Sequence, residues 1–163
     1  MKPADRARVT TFVAVSPGDA FEVFTQEIDL WWKRGRRFRF GGQGVLRFEG
    51  TLGGRLVESF GGEERGTFEV GRVLVWDPGA RLVFEWRGIT FAPGEITEVE
   101  VRFESMNDGT QVTLEHRGFS TLRPDHPVRH GLPGQAFTDS MGRWWGELAI
   151  SFRNHVAHQS LSR

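Results

Sequence analysis

The strongest constraint on what this chain can fold into is its last long amphipathic segment, Gly134 to His155. Phe137, Met141, Trp144, Leu148 and Phe152 recur there at spacings of four, three, four and four, with Trp145, Ala149 and Val156 on the same side. That periodicity predicts one long helix with a broad apolar stripe. Arg143, Glu147, Ser151, Arg153 and Asn154 fall mainly outside the stripe. Burying each large side chain contributes roughly 1.5–3 kcal/mol, so a stripe this wide requires a broad apolar partner.

The preceding residues supply that partner as strands. Ala7 to Val15 alternates through Val9, Thr11, Val13 and Val15. Ser16-Pro17 then reads as an N-cap and first helical residue, opening a short helix through Ala20, Phe21, Val23 and Phe24. A second short helix is expected over Ile28 to Trp32, ending in the basic run Lys33-Arg34-Gly35-Arg36-Arg37, which reads as a solvated loop. The loop and Gly41-Gly42-Gln43-Gly44 break the chain before the next strand. Strands follow at Val45–Glu49, Arg55–Phe60, Arg65–Trp76, Arg81–Arg87, Ile96–Ser105 and Thr110–Gly118. Gly61-Gly62-Glu63, Asp77-Pro78-Gly79 and Asn107-Asp108-Gly109 are turns between them. Connections this short demand an antiparallel meander, and the alternation of Val99, Val101 and Phe103 with Glu98, Glu100 and Arg102 demands a sheet covered on one face only. The stretch Phe119 to Pro133 has no strong pattern of its own and is long enough to wall or cover a site.

Composition narrows the function classes. The 163 residues suit one domain, 1–163, with a real core. Lys plus Arg and Asp plus Glu both number 21, so no global field steers nucleic acid or an anionic membrane. Cysteine is absent, which removes disulfides, thiolate catalysis and Cys-based zinc sites together. No segment is apolar enough to insert in a membrane, and Met1-Lys2-Pro3-Ala4-Asp5-Arg6 lacks the apolar core of a signal peptide. The expectation is a soluble, cytoplasmic protein.

Five stretches carry a family resemblance: Phe24 through Ile28 to Trp31-Trp32; Gly53-Gly54-Arg55-Leu56-Val57-Glu58; Gly71 to Pro78 with Leu82-Val83-Phe84-Glu85-Trp86; Gly109 to Phe119; and Gly142-Arg143-Trp144-Trp145. In that order they resemble the START-like, Bet v 1-like superfamily, in the branch similar to the C-terminal domain of the activator of Hsp90 ATPase. The resemblance implies an α+β helix-grip fold. In it, a curved antiparallel sheet of about six to seven strands wraps a long C-terminal helix, with two short helices after the first strand. It also implies a cavity between sheet and helix. Arg36 to Gly44 departs from the branch in its richness in Arg and Gly, which bears on the pocket mouth.

The residues that could line such a cavity are Trp31, Trp32, Phe48, Trp86, Phe103, Met141, Trp144 and Trp145, the material of a small-molecule site and equally of a core. His116 continues the parity of Val112 and Leu114, so its ring faces the apolar side and either orients a ligand or bonds to the protein itself. Glu58 shares parity with Leu56 and Phe60; Arg72 is either a pocket cation or is turned outward by a bulge at Gly71; the two could pair. His126 and His130 have a metal-like spacing that Pro127 and Gly131 spoil, so neither a metal nor another cofactor is expected. No nucleophile elbow, phosphate loop or zinc-helix motif is present. Three functions remain. The leading one binds a small hydrophobic molecule; the second, less favoured, is a co-chaperone-like regulator; the third is a cyclase- or hydrolase-type enzyme using the same cavity. A homodimer is compatible with an open sheet, though no residue pattern specifies one.

Overall fold

Ser16 separates the first strand from the first helix by chemistry as expected: its hydroxyl accepts the Asp19 N–H at 3.1 Å, and Pro17 stands at the first helical position. The computed structural model describes residues 5–40, 43–50, 52–61 and 66–161; the glycine break at Gly41-Gly42 and the turn residues Gly62-Glu63 lie outside them. The elements are β1 (Arg6–Val13), α1 (Pro17–Gln26), α2 (Ile28–Trp31), β2 (Val45–Phe48), β3 (Arg55–Ser59), β4 (Thr67–Asp77), β5 (Arg81–Trp86), β6 (Thr97–Met106), β7 (Gly109–Arg117) and α3 (Gly134–Leu161). The last helix therefore runs about a turn and a half beyond the expected His155. No helix among the described residues is long and apolar enough to cross a membrane.

The strands form one antiparallel sheet in the order β1-β7-β6-β5-β4-β3-β2. It is a meander from β2 to β7, with the chain's first strand laid beside its last. The sheet curls around α3, whose Phe137, Met141, Trp145, Leu148, Phe152 and Val156 are all buried. Helices α1 and α2 close the rest of the concave side, contacting α3, β2 and β6. This is the α+β helix-grip fold.

The convex face carries charge. Glu100, nearly buried in β6, accepts from Arg81 at 2.5 Å, Arg102 at 2.9 Å and Arg117 at 2.6 Å. Burial alone would raise its pKa; the three guanidinium groups outweigh that and hold it at about 2.

One irregularity decides where side chains point. Leu56 pairs with Gly71 but Val57 with Glu69, so Val70 is an extra residue in β4. Val70 and Gly71 are both buried, the parity changes there, and Arg72 is exposed. Glycine is required at 71, because a Cβ would stand 1.8 Å from the Glu85 carbonyl oxygen of β5. Gly142 of α3, by contrast, has nothing within 4 Å of a Cβ position. Gly71→Ala is therefore expected to cost about 3 kcal/mol or more in urea unfolding, since only backbone movement relieves the clash. Gly142→Ala should gain roughly 0.5–1 kcal/mol from helix propensity.

Candidate functional site

The concave interior is filled. Between α3 and the β1–β7 half of the sheet, the space bordered by Phe24, Trp31, Leu114, Trp145 and Phe152 among others is about 20 Å³. That is room for about one water, far below a ligand's volume, so the expected cavity does not lie at this position. Edge-to-face aromatic packing is the cause. Phe24 meets Phe103 at 5.9 Å and Phe152 at 5.4 Å, and Phe48 meets Phe84 at 5.4 Å. Trp31, Trp32, Phe48, Phe103 and Trp145 are thus core side chains rather than the walls of an interior cavity.

His116 faces inward and is fully buried. Its Nδ1 accepts the Trp145 indole N–H at 3.0 Å, and its Nε2 lies 2.7 Å from Thr97 Oγ1, which donates to the Trp86 carbonyl at 2.9 Å. With the Thr97 proton committed, Nε2 must be the donor, so the network assigns the neutral Nε2–H tautomer. Burial pushes the His116 pKa down to about 3. Both ring nitrogens are used by the protein and neither is offered to a ligand.

Glu58 is also fully buried, and its partner is backbone. Its two oxygens accept the N–H groups of Phe38 at 3.1 Å, Arg39 at 2.6 Å and Phe40 at 3.1 Å. It pins the basic loop to β3, and Gly44 leaves it room: a Cβ there would fall 2.5 Å from Glu58 Cγ. The suggested pair with Arg72 is absent, because Glu58 lies opposite Phe68 while Arg72 lies opposite Arg55 and faces outward. Neither residue lines a cavity between sheet and helix.

The opening lies instead at one end of the grip. A cleft of about 340 Å³ is walled by the basic loop at Arg36 to Phe38, by Trp86 and Ile89 at the end of β5, by Val128 and His130 of the long loop, and by Met141 and Trp144 of α3. Of the eleven sequence candidates, Trp86, Met141 and Trp144 are here. Trp86 packs edge-on against Phe38 at 5.9 Å and Trp144 at 6.2 Å.

The cleft's two loop walls are both held firmly. Arg37, its side chain fully buried, donates to the carbonyls of Gly44 at 2.7 Å, Asp29 at 2.8 Å and Trp32 at 2.7 Å, and pairs with the Asp29 carboxylate. Burial pushes the Asp29 carboxyl up, but the Leu46 N–H and the Arg37 and Arg34 guanidinium groups outweigh it and keep the pKa below the usual range. On the other side, Arg129 donates to the carbonyls of Phe119, Leu122 and Arg123 and sits 5.0 Å over the Phe137 ring. His126 accepts the Val128 N–H on Nδ1 and meets Glu95 with Nε2 at 2.9 Å, which commits it to the loop rather than to a metal. Among the described residues no cluster of His, Asp and Glu could hold a metal ion.

What the cleft offers a ligand is an apolar body with the polar side chains of Arg36, Thr90, His130 and Ser140 in its lining. It has no acidic side chain in its lining. The buried Trp86 Nε1–H, Arg36 Nε–H and Arg37 Nε–H have no acceptor among the described residues. Buried donors without partners are rare in native proteins. Sequence reasoning missed Arg37, Arg129 and Ile89. Ile89 was findable, since a large apolar residue between Gly88 and Thr90 in a turn is 60% exposed. The two arginines were not, because nothing in the order of residues marks Arg37 within its basic run, or Arg129 within its loop, as buried.

The His116 network has a pH signature. Its folded pKa is below the ordinary value of 6.5, so the unfolded chain takes the proton first and stability falls as pH drops below 6.5. The slope reaches about 1.4 kcal/mol per pH unit. Glu100 adds a loss of the same sign only in a lower window, from 4.5 toward 2. Urea midpoints at pH 7 and pH 5 should therefore drop more for the parent than for His116→Gln, which is less stable at pH 7 but lacks the titrating ring.

Solved structures share the fold at low identity. Protein MLL2253 from Mesorhizobium loti superposes with a TM-score of 0.64 at 17% identity, covering 94% of this chain and 97% of that one. Aha1 from Colwellia psychrerythraea, described as a dimer in solution, gives 0.62 at 15%, covering 93% and 95%. PFC0360w, an HSP90 activator from Plasmodium falciparum, gives 0.58 at 15%, covering 86% and 87%. Likeness at this level carries the fold alone. Among curated proteins none matches the chain by sequence. The family model of activator of Hsp90 ATPase homologue 1-like proteins matches residues 8–141, from the first strand to the second turn of the last helix, and this chain belongs to that family.

Proposed function

We propose that this chain is a single-domain cytoplasmic protein that binds a small hydrophobic molecule in the end cleft, not in the interior of the grip. The observation that carries this reading is the cleft itself: about 340 Å³ walled by Trp86, Ile89, Val128, Met141 and Trp144, with the donor side chains of Arg36, Thr90 and Ser140 and no carboxylate in its lining. The volume is at the small end of ligand pockets, and the mixture of apolar surface with a few polar groups is what such pockets use. The donors favour an aromatic or polyketide-like body with an oxygen acceptor, such as a ketone or carboxylate. Larger depressions lie on the sheet's convex face and beside β1, but arginines and polar groups line them and they offer little apolar surface.

A regulator of a chaperone is the second reading, favoured by the family's description and by the structural likeness to an HSP90 activator from Plasmodium falciparum. A homodimer accompanies either reading, on the strength of the dimer described for the Colwellia protein. Catalysis has weaker support, because His116, the best candidate base, has no free nitrogen.

The test uses 2-naphthoic acid as probe, followed by the indole N–H resonances of the tryptophans. Binding in the cleft moves the Trp86 and Trp144 signals saturably and leaves the buried Trp31 signal in place. Trp144→Ala should weaken the probe about tenfold or more, in line with losing one large aromatic contact, at little change in thermal midpoint. Saturable shifts confined to other tryptophans, or none at all, would overturn the assignment.

A further inference from the structure

The two edges of the sheet are treated differently. At the β2 edge the outward Leu46 N–H is taken by the Asp29 carboxylate at 2.9 Å, and the Gly44 carbonyl by Arg34 at 3.0 Å and Arg37 at 2.7 Å. Among the described residues no side chain covers the β1 edge in this way. Gly118 donates to the Asp5 carbonyl at 3.0 Å, and the β1–β7 register continues that pair through Ala7↔His116, Val9↔Leu114, Thr11↔Val112 and Val13↔Thr110. In an antiparallel ladder those are the hydrogen-bonded pairs, so Arg6, Arg8, Thr10 and Phe12 direct their backbone N–H and C=O groups away from β7. No other strand pairs with β1 among the described residues.

A groove of about 490 Å³ runs along this open edge, between Arg6 and Arg8 of β1 and Asp139, Gly142 and Arg143 of α3. The absence of any atom within 4 Å of a Cβ on Gly142 leaves the helix side of the groove clear. Three of the four charged residues in its lining, Arg6, Arg8 and Arg143, are basic. Arg8 and Arg143 are exposed and make no ion pair among the described residues, and Arg6 reaches Glu115 only at 3.4 Å. The one carboxylate in the lining, Asp139, is held by Gln135 at 2.8 Å. In a chain with as many acids as bases, this is a local surplus of cations.

We infer that the β1 edge is a docking surface for an extended acidic peptide segment, which adds as an eighth strand beside β1 and sets its carboxylates against Arg6, Arg8 and Arg143. Main-chain hydrogen bonds to Arg6, Arg8, Thr10 and Phe12 supply the attachment, and the arginines select the sign of charge. The surface is separate from the end cleft and does not depend on a ligand there.

The test measures amide hydrogen exchange with a capped peptide of about seven residues alternating Glu and Val, against the same peptide with Lys for Glu. The Glu peptide should slow exchange at Arg8, Thr10 and Phe12 about tenfold or more while leaving Val9 and Thr11, already bonded to β7, unchanged. Thr10→Pro removes one outward N–H without breaking a ladder bond, so it should keep the fold and abolish the slowing. Arg8→Glu combined with Arg143→Glu should reverse the preference between the two peptides and guards against a Thr10→Pro variant that fails to fold. No slowing with the Glu peptide, or equal slowing with the Lys peptide, overturns the inference. Slowing that grows with protein concentration in the absence of peptide, together with a dimer in sedimentation, overturns it in favour of a second copy as occupant.

Discussion

A single buried hydrogen-bond line sets the position of everything that bears on function. It starts at the Trp145 indole in α3, passes through His116 in β7 and Thr97 in β6, and ends on the Trp86 carbonyl of β5. Apolar packing alone would let a helix slide along a smooth concave sheet, since burial is non-directional. Directional bonds remove that freedom, and an unmet partner inside the core would cost about 1–3 kcal/mol. The line also explains why the imidazole is neutral: one nitrogen must accept from the indole while the other donates to the hydroxyl. Because Trp86 terminates the line through its backbone and Trp144 adjoins Trp145, the same network that locks the helix fixes two walls of the cleft.

Once the helix is locked, the aromatic inventory decides where space is left. Phe24 meets Phe103 and Phe152 edge to face, Trp31 meets Phe152 in the same way, and the space that Phe24, Trp31 and Phe152 border measures about 20 Å³. The opening lies where Met141 and Trp144 of α3 face Val128 and His130 of the long loop. Both flanking loops are fastened by buried charge: Glu58 beneath Phe38 to Phe40, Arg37 on Asp29, and Arg129 on three carbonyls. A wall fixed in this way holds its shape before a ligand arrives, which reduces the ordering cost of binding.

The architecture was legible because it rests on periodicity. The stripe from Phe137 to Phe152, the alternation of β5 to β7 and the Asn107-Asp108-Gly109 turn each report a face or a reversal directly, and the strand and helix order follows. Inward parity was equally readable for His116, since its strand is regular. At Arg72 simple parity left two directions open, and the outward one holds: the extra residue Val70 shifts the register and Gly71 permits the close approach to Glu85. The candidate site was less legible for a different reason. Whether an inward aromatic fills the core or lines a cleft depends on how neighbouring rings tilt, and one sequence does not encode that pairwise geometry in any local pattern. Glu58 shows the limit most clearly: its inward direction followed from parity, yet its partners are backbone N–H groups about twenty residues earlier, whose identity leaves no trace in side-chain chemistry.

The contrast between the sheet's two edges ties the fold to the departure noted at Arg36 to Gly44. A seven-stranded sheet that does not close on itself has two rows of unpaired backbone groups, and native proteins cover or charge such rows. Here the basic loop and α2 perform the first task at β2, with Asp29 and Arg37 placing a carboxylate and a guanidinium where a further strand would bond. The β1 edge relies on Arg6 and Arg8 alone, and charge repels only partners of like sign. Basic strands are repelled there and uncharged ones gain nothing from the arginines, while an acidic strand meets both its backbone and its charge requirements. An edge guarded in that manner disfavours self-association by similar basic segments and favours one chemical class of partner, so the protection against aggregation and the selectivity for a partner arise from the same two arginines.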